Sequence, residues 1–406
     1  MNILVVTPHF YPENFRINDF AKDFVIRGHK VTVLTAVPDY PKGKFYDGYG
    51  VFKRSRELYK GIQIYRAPLI PRGTGSNLRL SLNYISHMVG AIFTSLFMLT
   101  KKFDIVFVFA ISPVTVVIPA IFIKKLKKLP LCVWVLDLWP EAVVSSAGNL
   151  HKKSLIPKIL HPVVSFIYKH SDKILVSSKG FIDSIEDKGV SRDKIEFFPQ
   201  WAEPIFKPMG STEYLLGDIP KDSFKIMFAG NIGESQDFPS ILKAAKLLKD
   251  ERDIHWIILG SGRREEWVKS KVKSHGLGSC FHMLGNFPLE KMPEFYANAD
   301  TMLFSLKDDK AFSITIPAKV QTYLACGKPI LAMINGEGGK VVLEANAGLV
   351  CQAESPSELS ENILRMKSMK VKELSDMGSN ARRYYNDNFE RGYLFDKVES
   401  IFEEMR

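Results

Sequence analysis

Short runs rich in valine and isoleucine alternate with segments of helical periodicity along the whole chain, and this alternation restricts the fold more than any other feature. Ile3–Val6, Val31–Thr35 and Ile105–Ala110 have the composition of strands, and Gly28 closes a helical segment between the first two. The other strands predicted in the first half are Ile62–Arg66, Leu131–Leu136, Lys173–Val176 and Ile195–Phe197. Strands separated by helices form βαβ units, so the sequence predicts an α/β fold with parallel sheets.

The second half repeats this order after Pro199–Ser223, a segment rich in proline, glycine and acidic residues that is typical of an interdomain linker. Its predicted strands are Lys225–Phe228, His255–Leu259, Phe281–Leu284, Thr301–Phe304, Pro329–Ala332 and Gly348–Val350. Three helical patterns, at about 356–368, 371–386 and 391–405, follow the last strand. We therefore expect two doubly wound, Rossmann-like parallel-sheet domains facing a deep cleft, with ligands at the carboxyl ends of the strands.

The composition is that of a folded protein of 406 residues, because 46% of them are hydrophobic and 24% are charged. Four cysteines lie far apart and form no Cys-x-x-Cys motif, which indicates a reducing compartment and no zinc site. The first residues lack a basic region and a long apolar run, so we expect no signal peptide and a cytoplasmic protein.

Positive charge is concentrated in one half of the chain. Of the net charge of +11, residues 1–200 carry +13 and residues 201–406 carry −2, so only the first half is expected to meet an anionic surface. Nucleic acid and an acidic membrane are both candidates. We favour peripheral binding to anionic lipid of the inner leaflet and no nucleic acid, because a polybasic cluster follows an apolar helix and no nucleic-acid motif is present. The candidate membrane residues are Lys101, Lys102, Lys124, Lys125, Lys127 and Lys128.

Two stretches of nineteen residues carry no Lys, Arg, Asp or Glu. Leu82–Thr100 has apolar residues at helical spacing and the length of a bilayer span, and the alternatives are a core helix and a helix lying in the membrane interface. Strands on both sides of it argue against a span. Ile105–Ile123 is broken by Ser112 and Pro113, which predict a helix with Ser112 at the N-cap and Pro113 at the first helical position.

The motifs of several enzyme classes are missing from the sequence. It contains no Walker A loop, no Gly-x-Gly-x-x-Gly after the first strand, no His-Glu-x-x-His, no Gly-x-Ser-x-Gly and no Asp-x-Asp. Glycine turns instead follow strands of the second half, in Phe228–Gly233, Leu259–Gly262 and Asn335–Gly339. Glycine lets backbone amides approach an anion, and Arg263 and Lys319 could add charge, so these turns predict a metal-independent site for a nucleoside diphosphate.

Two loops of the first half are candidates for the other substrate. The loop Thr7–Arg16 follows the first strand, and Asp137 and Glu141 follow a buried strand in the sequence Leu136-Asp137-Leu138-Trp139-Pro140-Glu141. A carboxylate at a strand end beside tryptophan is a candidate for acid/base work or for positioning a hydroxyl. The alternative is that Asp137 or Glu141 caps the next helix.

These segments together resemble the GT-B glycosyltransferases, specifically the large retaining family four, over nearly the whole chain. The resemblance rests on Gly28–Thr35, Phe228–Glu234, Leu259–Gly262, Leu284–Asn286 with Phe295–Asp300, and Tyr323–Ile330. The segments Asp137–Glu141 and Pro199–Trp201 are similar to the branch that contains colanic-acid, O-antigen and fucosamine transferases. The resemblance implies an N-terminal acceptor domain (1–200) that faces a membrane, a nucleotide-sugar domain (201–390), and a final helix (391–406) that packs back on the first domain.

The sequence departs from the family at the donor site. Asn231 and Gln236 stand where the family commonly has the arginine and lysine that hold the diphosphate. Thr322 and Ile314 occupy the positions of the family's paired glutamates, of which one binds the ribose. Lys319, Arg263 and Glu337 are the residues that we expect to compensate. The full set of predicted donor-binding residues is Gly230, Asn231, Gly260, Ser261, Gly262, Arg263, Asn286, Phe287, Pro317, Lys319, Thr322, Gly336 and Glu337.

The resemblance implies a retaining, metal-independent transferase without a cofactor. Its donor would be a UDP-linked N-acetylated or deoxyamino hexose such as FucNAc, and its acceptor a polyprenyl-diphosphate-linked saccharide of a surface polysaccharide. The predicted catalytic residues are Asp137, which would handle the acceptor hydroxyl, Glu141, and Arg16, which would touch the donor phosphate. Two alternatives remain open: a UDP-sugar 2-epimerase of the same fold, and a non-catalytic protein that binds sugar nucleotides or lipid.

Overall fold

The chain forms two compact α/β units in a computed structural model that describes residues 1–73, 76–146, 156–210 and 214–406. The first unit comprises Met1–Phe198 and Phe395–Arg406, and the second comprises Pro199–Leu394. The division at residue 198 falls at the start of the segment predicted to be a linker, and the described parts of that segment contain neither helix nor strand before Phe224.

The first unit is built on an eight-stranded sheet with the order β3-β4-β2-β1-β5-β6-β7-β8. Its strands are β1 (Asn2–Val6), β2 (Lys30–Ala36), β3 (Arg56–Tyr59), β4 (Ile62–Ala67), β5 (Ile105–Ala110), β6 (Leu131–Val135), β7 (Lys173–Val176) and β8 (Ile195–Phe197). Its helices are α1 (Arg16–Ile26), α2 (Asn77–Leu96), α3 (Val117–Lys127), α4 (Glu141–Ser146), α5 (Ile156–Lys169) and α6 (Ile182–Glu186). The order reverses between β1 and β5, which makes the carboxyl ends of these two strands the switch point where such sheets bind ligands.

Every residue of β5 and β6 is buried, as expected for strands covered by helices on both faces. β3 is different: it runs antiparallel to β4 at the sheet edge, and its residues are half-buried or exposed. The sequence analysis predicted only parallel strands and missed β3, because the Arg-Glu-Leu-Tyr of this strand lacks the valine and isoleucine of a buried strand.

The second unit has a six-stranded, fully parallel sheet with the order β11-β10-β9-β12-β13-β14. Its strands are β9 (Phe224–Ala229), β10 (Ile254–Leu259), β11 (Phe281–Gly285), β12 (Thr301–Ser305), β13 (Ile330–Met333) and β14 (Gly348–Cys351). Its helices are α7 (Phe238–Leu247), α8 (Glu265–Ser274), α9 (Met292–Ala297), α10 (Lys310–Ser313), α11 (Ala318–Ala325), α12 (Glu337–Glu344), α13 (Pro356–Lys367) and α14 (Val371–Asn388). Alternate residues of β9 and β10, among them Phe228 and Trp256, pack into one hydrophobic cluster.

The last helix, α15 (Arg391–Met405), begins in the second unit and ends in the first. From Phe395 onward its residues pack into the first unit, where the rings of Phe395 and Phe402 contact Phe20 at 5.6 and 6.4 Å. Arg27 of α1 reaches the same helix, and its Nη1 lies 2.6 Å from Asp396. The twelve residues 395–406 are therefore part of the core and charge pairing of the first unit.

The predicted N-cap at Ser112 is wrong. Pro113 is extended and is followed by a 3-10 turn at Val114–Val116, and α3 begins only at Val117. The Ser112 hydroxyl donates a hydrogen bond to Asp137 instead. The hydroxyl therefore acts as a donor to a charged acceptor at the neighbouring strand end, a stronger hydrogen bond than one accepted from a helix amide.

Candidate active site

A pocket of about 280 Å³ opens at the carboxyl ends of β9, β10 and β11 in the second unit. It lies where a doubly wound sheet is expected to bind its ligand. Its walls are Gly230, Asn231, Leu259, Gly260, Ser261, Asn286, Phe287 and Met292. Six of these eight residues belong to the predicted donor-binding set, so residues from three separate strand ends are brought to one place.

Two glycines make this pocket possible. Gly260 has φ +128°, and a Cβ there would lie 1.9 Å from the carbonyl oxygen of Gly230. Gly230 has φ +139°, and a Cβ there would lie 2.7 Å from Cε of Lys319. Any larger residue at either position would displace backbone or fill the pocket wall, so the two turns need glycine both for conformation and for space.

Lys319, at the start of α11, lies against this wall. Its Nζ donates to Oε1 of Gln236 at 2.6 Å and lies 3.7 Å from the centre of the Phe228 ring. Burial lowers the pKa of Lys319 to about 7. No carboxylate lies within 4 Å of its Nζ in the part of the chain that the structure describes. A buried amine with only a neutral amide and an aromatic ring as neighbours is ready to receive an anion.

Polar and aromatic side chains complete the pocket wall. The Asn286 side-chain amide donates to the Ser261 hydroxyl at 2.6 Å, which joins the loops after β10 and β11. The Phe287 ring is partly exposed and packs against Phe295 at 4.3 Å, so it offers a flat apolar face. Arg263 follows directly after Gly262 and is exposed, at the mouth of the turn that precedes α8.

Other predicted donor residues have different neighbours. Thr322 is buried and its hydroxyl donates to Ala318 of its own helix at 3.2 Å. Glu337 pairs with Lys340 at 2.8 Å. Pro317 and Gly336 precede α11 and α12 as their N-cap residues. None of these four lines the pocket. The family resemblance alone did not show that they would lie away from it while Lys319 would lie against its wall.

In the first unit, Asp137 follows β6 and contacts the loop after β5, one of the two strands of the switch point. Its Oδ2 accepts hydrogen bonds from the backbone amide and the hydroxyl of Ser112, at 2.9 and 2.8 Å, and Trp139 Nε1 donates to the same hydroxyl at 3.0 Å. The loops after β5 and β6 are thereby joined. These hydrogen bonds occupy Oδ2 and leave Oδ1 without a hydrogen-bond partner among the residues that are described.

Glu141 and Arg16, the other two predicted catalytic residues, have environments that differ from that of Asp137. Glu141, in the first turn of α4, pairs with Lys188 at 3.1 Å and accepts from Ser184 at 2.7 Å. Burial would raise the pKa of Glu141, but these hydrogen bonds and the Lys188 charge outweigh it and lower the pKa. Its carboxylate is thus committed to an internal ion pair. Arg16 is the first residue of α1 and is half-buried.

The structure reveals a buried polar network that the sequence analysis missed. His9 Nδ1 lies 2.8 Å from Glu13 Oε2, and Arg72 Nη2 lies 2.8 Å from His9 Nε2. Glu13 Oε1 accepts from the amides of Asp39 and Tyr40 at 3.0 and 2.7 Å. The network therefore ties together the loops after β1, β2 and β4, all at the carboxyl edge of the sheet.

The same network reaches α2. The carboxylate of Asp39 accepts from the amide of Arg72 at 2.9 Å and from the side chain of Asn83 at 3.1 Å. Burial raises the pKa of the Tyr84 phenol, and the charges of Asp137 and Asp39 add to the shift while Arg72 opposes it. Tyr84 is thus within electrostatic reach of both groups of polar residues. A signal that could have found the network is the set of His, Glu, Asp and Arg residues that follow β1, β2 and β4.

Helix α2 buries polar residues and exposes apolar ones. Asn83, His87 and Ser95 are buried, and burial lowers the pKa of His87 to about 3, so this imidazole is neutral. Leu78, Ile85 and Phe93 are 73%, 57% and 63% exposed. The exposed apolar side chains, here called the α2 ridge, are Leu78, Leu82, Ile85, Val89, Phe93, Leu96 and Phe97.

The α2 ridge contradicts the expectation of an ordinary core helix for Leu82–Thr100, because a core helix would bury these side chains. Among the described residues, no helix combines the length and the apolar character that crossing a bilayer requires. A large contiguous apolar surface on a folded unit marks a site of contact with a membrane or another molecule.

The six predicted membrane lysines fall into two groups. Lys124 pairs with Asp172 at 2.5 Å, Lys127 donates to Leu99 at 2.7 Å, and Lys101 donates to Gln63 at 2.7 Å. Lys102, Lys125 and Lys128 are exposed. Next to them, Leu126 is exposed on α3. These three exposed lysines are the ones whose charge is accessible to an anionic membrane surface.

Comparison with known proteins decides the family. The model of the glycosyl transferase 4-like domain matches residues 14–201, and the model of glycosyl transferases group 1 matches residues 217–384. The chain belongs to the family 4 glycosyltransferases of the GT-B fold. Family 4 and the GT-B fold class inferred from the motifs are thereby confirmed.

Two curated relatives match this glycosyltransferase over most of its length. It is 27% identical to the probable glycosyltransferase WbjE of Pseudomonas aeruginosa over 65% of the chain and 66% of that protein. It is 26% identical to WcaI of Escherichia coli, a glycosyl transferase assigned to colanic acid biosynthesis, over 80% of the chain and 82% of that protein. The matched region spans just under two thirds of WbjE.

The glycosyltransferase also has the fold of solved structures. The structure of Anabaena Alr3699/HepE in complex with UDP covers the whole of both chains with a TM-score of 0.70 at 13% identity. At this identity the likeness concerns the fold alone.

Proposed function

We propose that this glycosyltransferase transfers a sugar from a UDP-sugar to a lipid-linked saccharide, with retention of configuration and without a metal ion. The observation that carries the proposal is the glycine-walled pocket at the carboxyl edge of the second unit, with Lys319 against its wall and only the neutral Gln236 amide as its hydrogen-bond partner among the described residues. Backbone amides at such turns and a nearby cation are what a diphosphate leaving group requires.

The composition of the pocket supports the metal-independent form of the proposal. The residues that line it include no carboxylate, whereas magnesium is usually held between carboxylates and phosphate oxygens. Lys319 would take the diphosphate charge, assisted by Arg263 at the mouth of the turn. The flat face of Phe287 and the Asn286 amide would meet the nucleobase. The complex of HepE with UDP, a protein of the same fold, supports UDP as the nucleotide.

The first unit would hold the acceptor. Asp137 Oδ1 would accept a hydrogen bond from the acceptor hydroxyl, while Oδ2 stays with Ser112. Arg16 would approach the donor phosphate, as the family resemblance implies. The proposed acceptor is a polyprenyl-diphosphate-linked saccharide of a surface polysaccharide, and the assignment of WcaI to colanic acid biosynthesis supports the polysaccharide class. The donor class to test first is a UDP-linked N-acetylated or deoxyamino hexose such as FucNAc, as the family resemblance implies.

The α2 ridge would bring the first unit to the inner face of the cell membrane. Each Leu, Ile or Phe side chain that moves from water into lipid contributes about 1.5–3 kcal/mol, so three or four inserted residues suffice for stable binding. Exposed Lys102, Lys125 and Lys128 would add about 1 kcal/mol each at an anionic surface. Because α2 also carries Asn83 and Tyr84 on its inner side, a helix lying on the membrane would place the polar network next to the lipid headgroups.

Calorimetric titration with a panel of UDP-sugars, followed by reaction with lipid-linked acceptors, tests the donor and the reaction. We expect one UDP-sugar to bind in the presence of EDTA and to yield a product whose anomeric configuration, measured by NMR, equals that of the donor. An inverted product would reject retention, and activity lost with EDTA and restored by magnesium would reject metal independence. Release of a free sugar epimer without transfer would favour the 2-epimerase instead.

Co-sedimentation with vesicles of phosphatidylglycerol and phosphatidylcholine tests the membrane proposal. The double substitution Ile85→Ser and Phe93→Ser should reduce vesicle binding at least tenfold, because it removes the apolar contribution of two exposed side chains. Ile26→Ser is the matched control, since Ile26 is 81% exposed on α1 of the same unit. Equal loss in the control, or full binding in the double variant, would reject a specific role for the α2 ridge.

A further inference from the structure

A second groove lies in the second unit, at the opposite edge of the sheet from the donor pocket. Its volume is about 580 Å³, within the range of small-molecule sites. One wall is formed by Gly327, Lys328 and Pro329, which precede β13, and by Asp300, which precedes β12. The other wall is the face of α14 from Val371 to Arg382.

Two cations line this groove without an acidic partner. Lys328 is half-buried, and its Nζ lies 3.5 Å from the carbonyl oxygen of Ala297. Arg382 donates through Nη1 to the carbonyl oxygen of Ala325 at 2.7 Å, which leaves its other guanidinium nitrogens for a ligand. Within the described ranges, neither cation has a carboxylate within 4 Å. Burial lowers the pKa of Lys328, and the charge of Asp300 opposes this shift without cancelling it.

The one carboxylate of the groove is already engaged. Asp300 Oδ2 accepts from the backbone amide of Lys225 at 2.7 Å and lies 3.5 Å from the ammonium group of the same residue. The free charge of the groove is therefore positive. This charge lies between two helix carboxyl ends, those of α9 and α11, so a bound anion would be held by Lys328 and Arg382 rather than by helix dipoles.

The α14 wall adds hydroxyls and an apolar surface. Ser375 and Ser379 lie one turn apart on the exposed face of α14 and line the groove, and neither hydroxyl has a hydrogen-bond partner among the described residues. Leu374 and Pro329 supply apolar contact beside them. Two cations from facing walls suit an anion with several oxygens, and paired hydroxyls beside an apolar surface suit a sugar ring.

We propose that this groove is an effector site for a phosphorylated hexose, with the phosphate on Lys328 and Arg382 and sugar hydroxyls on Ser375 and Ser379. The site is connected to the donor pocket by α11. Ala325, which Arg382 contacts, is the last residue of this eight-residue helix, and Lys319 is its second residue, so the two contacts are about 10 Å apart along the axis.

α11 can carry an effect of the bound ligand from the groove to the donor pocket, because it is tightly packed against α14. A Cβ at Gly378 would lie 2.4 Å from the carbonyl oxygen of Gly327, directly after the helix. A phosphate on the other guanidinium nitrogens of Arg382 alters its hydrogen bond to Ala325 at the end of α11, and the position of Lys319 at the start of the helix changes with it. The binding of the hexose phosphate stands independently, whereas its effect on UDP rests on the proposed donor site. By linkage, UDP and the hexose phosphate change each other's affinity by the same factor.

Titration of the full chain with glucose 1-phosphate and glucose 6-phosphate, by calorimetry in saturating UDP, tests the proposal. Saturating UDP keeps the sugar phosphates out of the donor pocket. We expect one of them to bind, and we expect the double variant Lys328→Gln and Arg382→Gln to weaken it at least tenfold. Lys372→Gln, an exposed lysine of α14 that does not line the groove, is the matched control and should bind as the parent does.

Further outcomes separate the parts of the proposal. If the double variant fails to fold, Arg382→Lys is measured in its place. This variant keeps a cation at the site and should therefore retain part of the affinity of the parent. Inorganic phosphate that binds as tightly as both sugar phosphates would overturn the assignment of a hexose. Binding of neither sugar phosphate, or equal binding in the parent and the double variant, would overturn the site. Binding that leaves UDP affinity unchanged would overturn the effector role, and absence of UDP binding would contradict only the proposed donor site.

Discussion

Replacing Lys319 by methionine should make the free glycosyltransferase more stable and its UDP complex weaker. Methionine keeps the length and apolar volume of the side chain and removes the charge. Lys319 has a pKa of about 7 in the folded chain, against 10.5 for an ordinary lysine. At 1.36 kcal/mol for each unit of pKa, keeping this amine buried costs the parent about 4 kcal/mol at pH 7.

The sign of the pH dependence follows from the lowered pKa. Between pH 7 and 10.5 the unfolded chain carries a proton on Lys319 that the folded chain has lost, so the free energy of unfolding rises with pH in this window. Below pH 7 the unfavourable contribution is complete and constant. The methionine variant lacks it, so its advantage in stability should be largest at pH 6 and should disappear towards pH 10.5.

In the UDP complex the lysine should be favoured over methionine, the opposite of what we expect for the free protein. A diphosphate beside Nζ favours the ammonium form, so binding above pH 7 should take up a proton and the Kd of the parent should rise about tenfold for each pH unit. The variant should bind ten- to a hundredfold more weakly at pH 7, with no proton uptake at pH 8–9, where the terminal phosphate of UDP is fully ionised.

Calorimetry in two buffers of different ionisation enthalpy measures the proton uptake, and urea unfolding at pH 6 and 9 measures the stability. Lys319→Arg is the control, because it keeps a charge that does not titrate. Equal proton uptake by the parent and the methionine variant, or parallel stability profiles, would refute the assignment of Lys319.

Three further predictions test the other parts of the site. Gly260→Ala should abolish UDP binding, since its Cβ would lie 1.9 Å from the Gly230 oxygen, while Gly278→Ala, in open space, should leave calorimetric titrations unchanged. Asp137→Asn should lower kcat by at least tenfold and leave the affinity for UDP intact; unchanged turnover with lipid-linked acceptor would remove it from the mechanism. Glu13→Ala should destabilise the first unit by about 3–5 kcal/mol in urea unfolding, because it removes the partner of His9 Nδ1 and the acceptor of the Asp39 and Tyr40 amides.

The sequence was sufficient to predict a strand where its apolar pattern corresponds to a buried position in the sheet. The thirteen predicted strands lie within one residue of their observed bounds, because buried parallel strands are continuous apolar runs. Strand ends fix where the glycine turns meet, so Gly230, Gly260 and Asn286 could be placed together before their contacts were known. The edge strand β3 had no such signal, since an exposed edge tolerates charged residues.

Contacts between distant segments could not be predicted in the same way. The spacing of Leu82, Ile85 and Val89 indicates a helix with one apolar face, but it does not say whether that face points inward. The outward direction depends on Asn83, whose partner Asp39 lies 44 residues away. Similarly, Gln236 appeared only as a missing lysine, and its contact with Lys319 emerges from the folded chain.

The passage of α15 into the first unit affects how the protein is made and how it can be divided. Residues 395–406 are synthesised only after the whole second unit, yet Phe20 and Arg27 depend on them for contacts. The N-terminal half therefore remains without part of its core while the ribosome translates the other half. A fragment ending near residue 198 would expose aromatic rings and aggregate, so the two halves are best expressed as a single polypeptide.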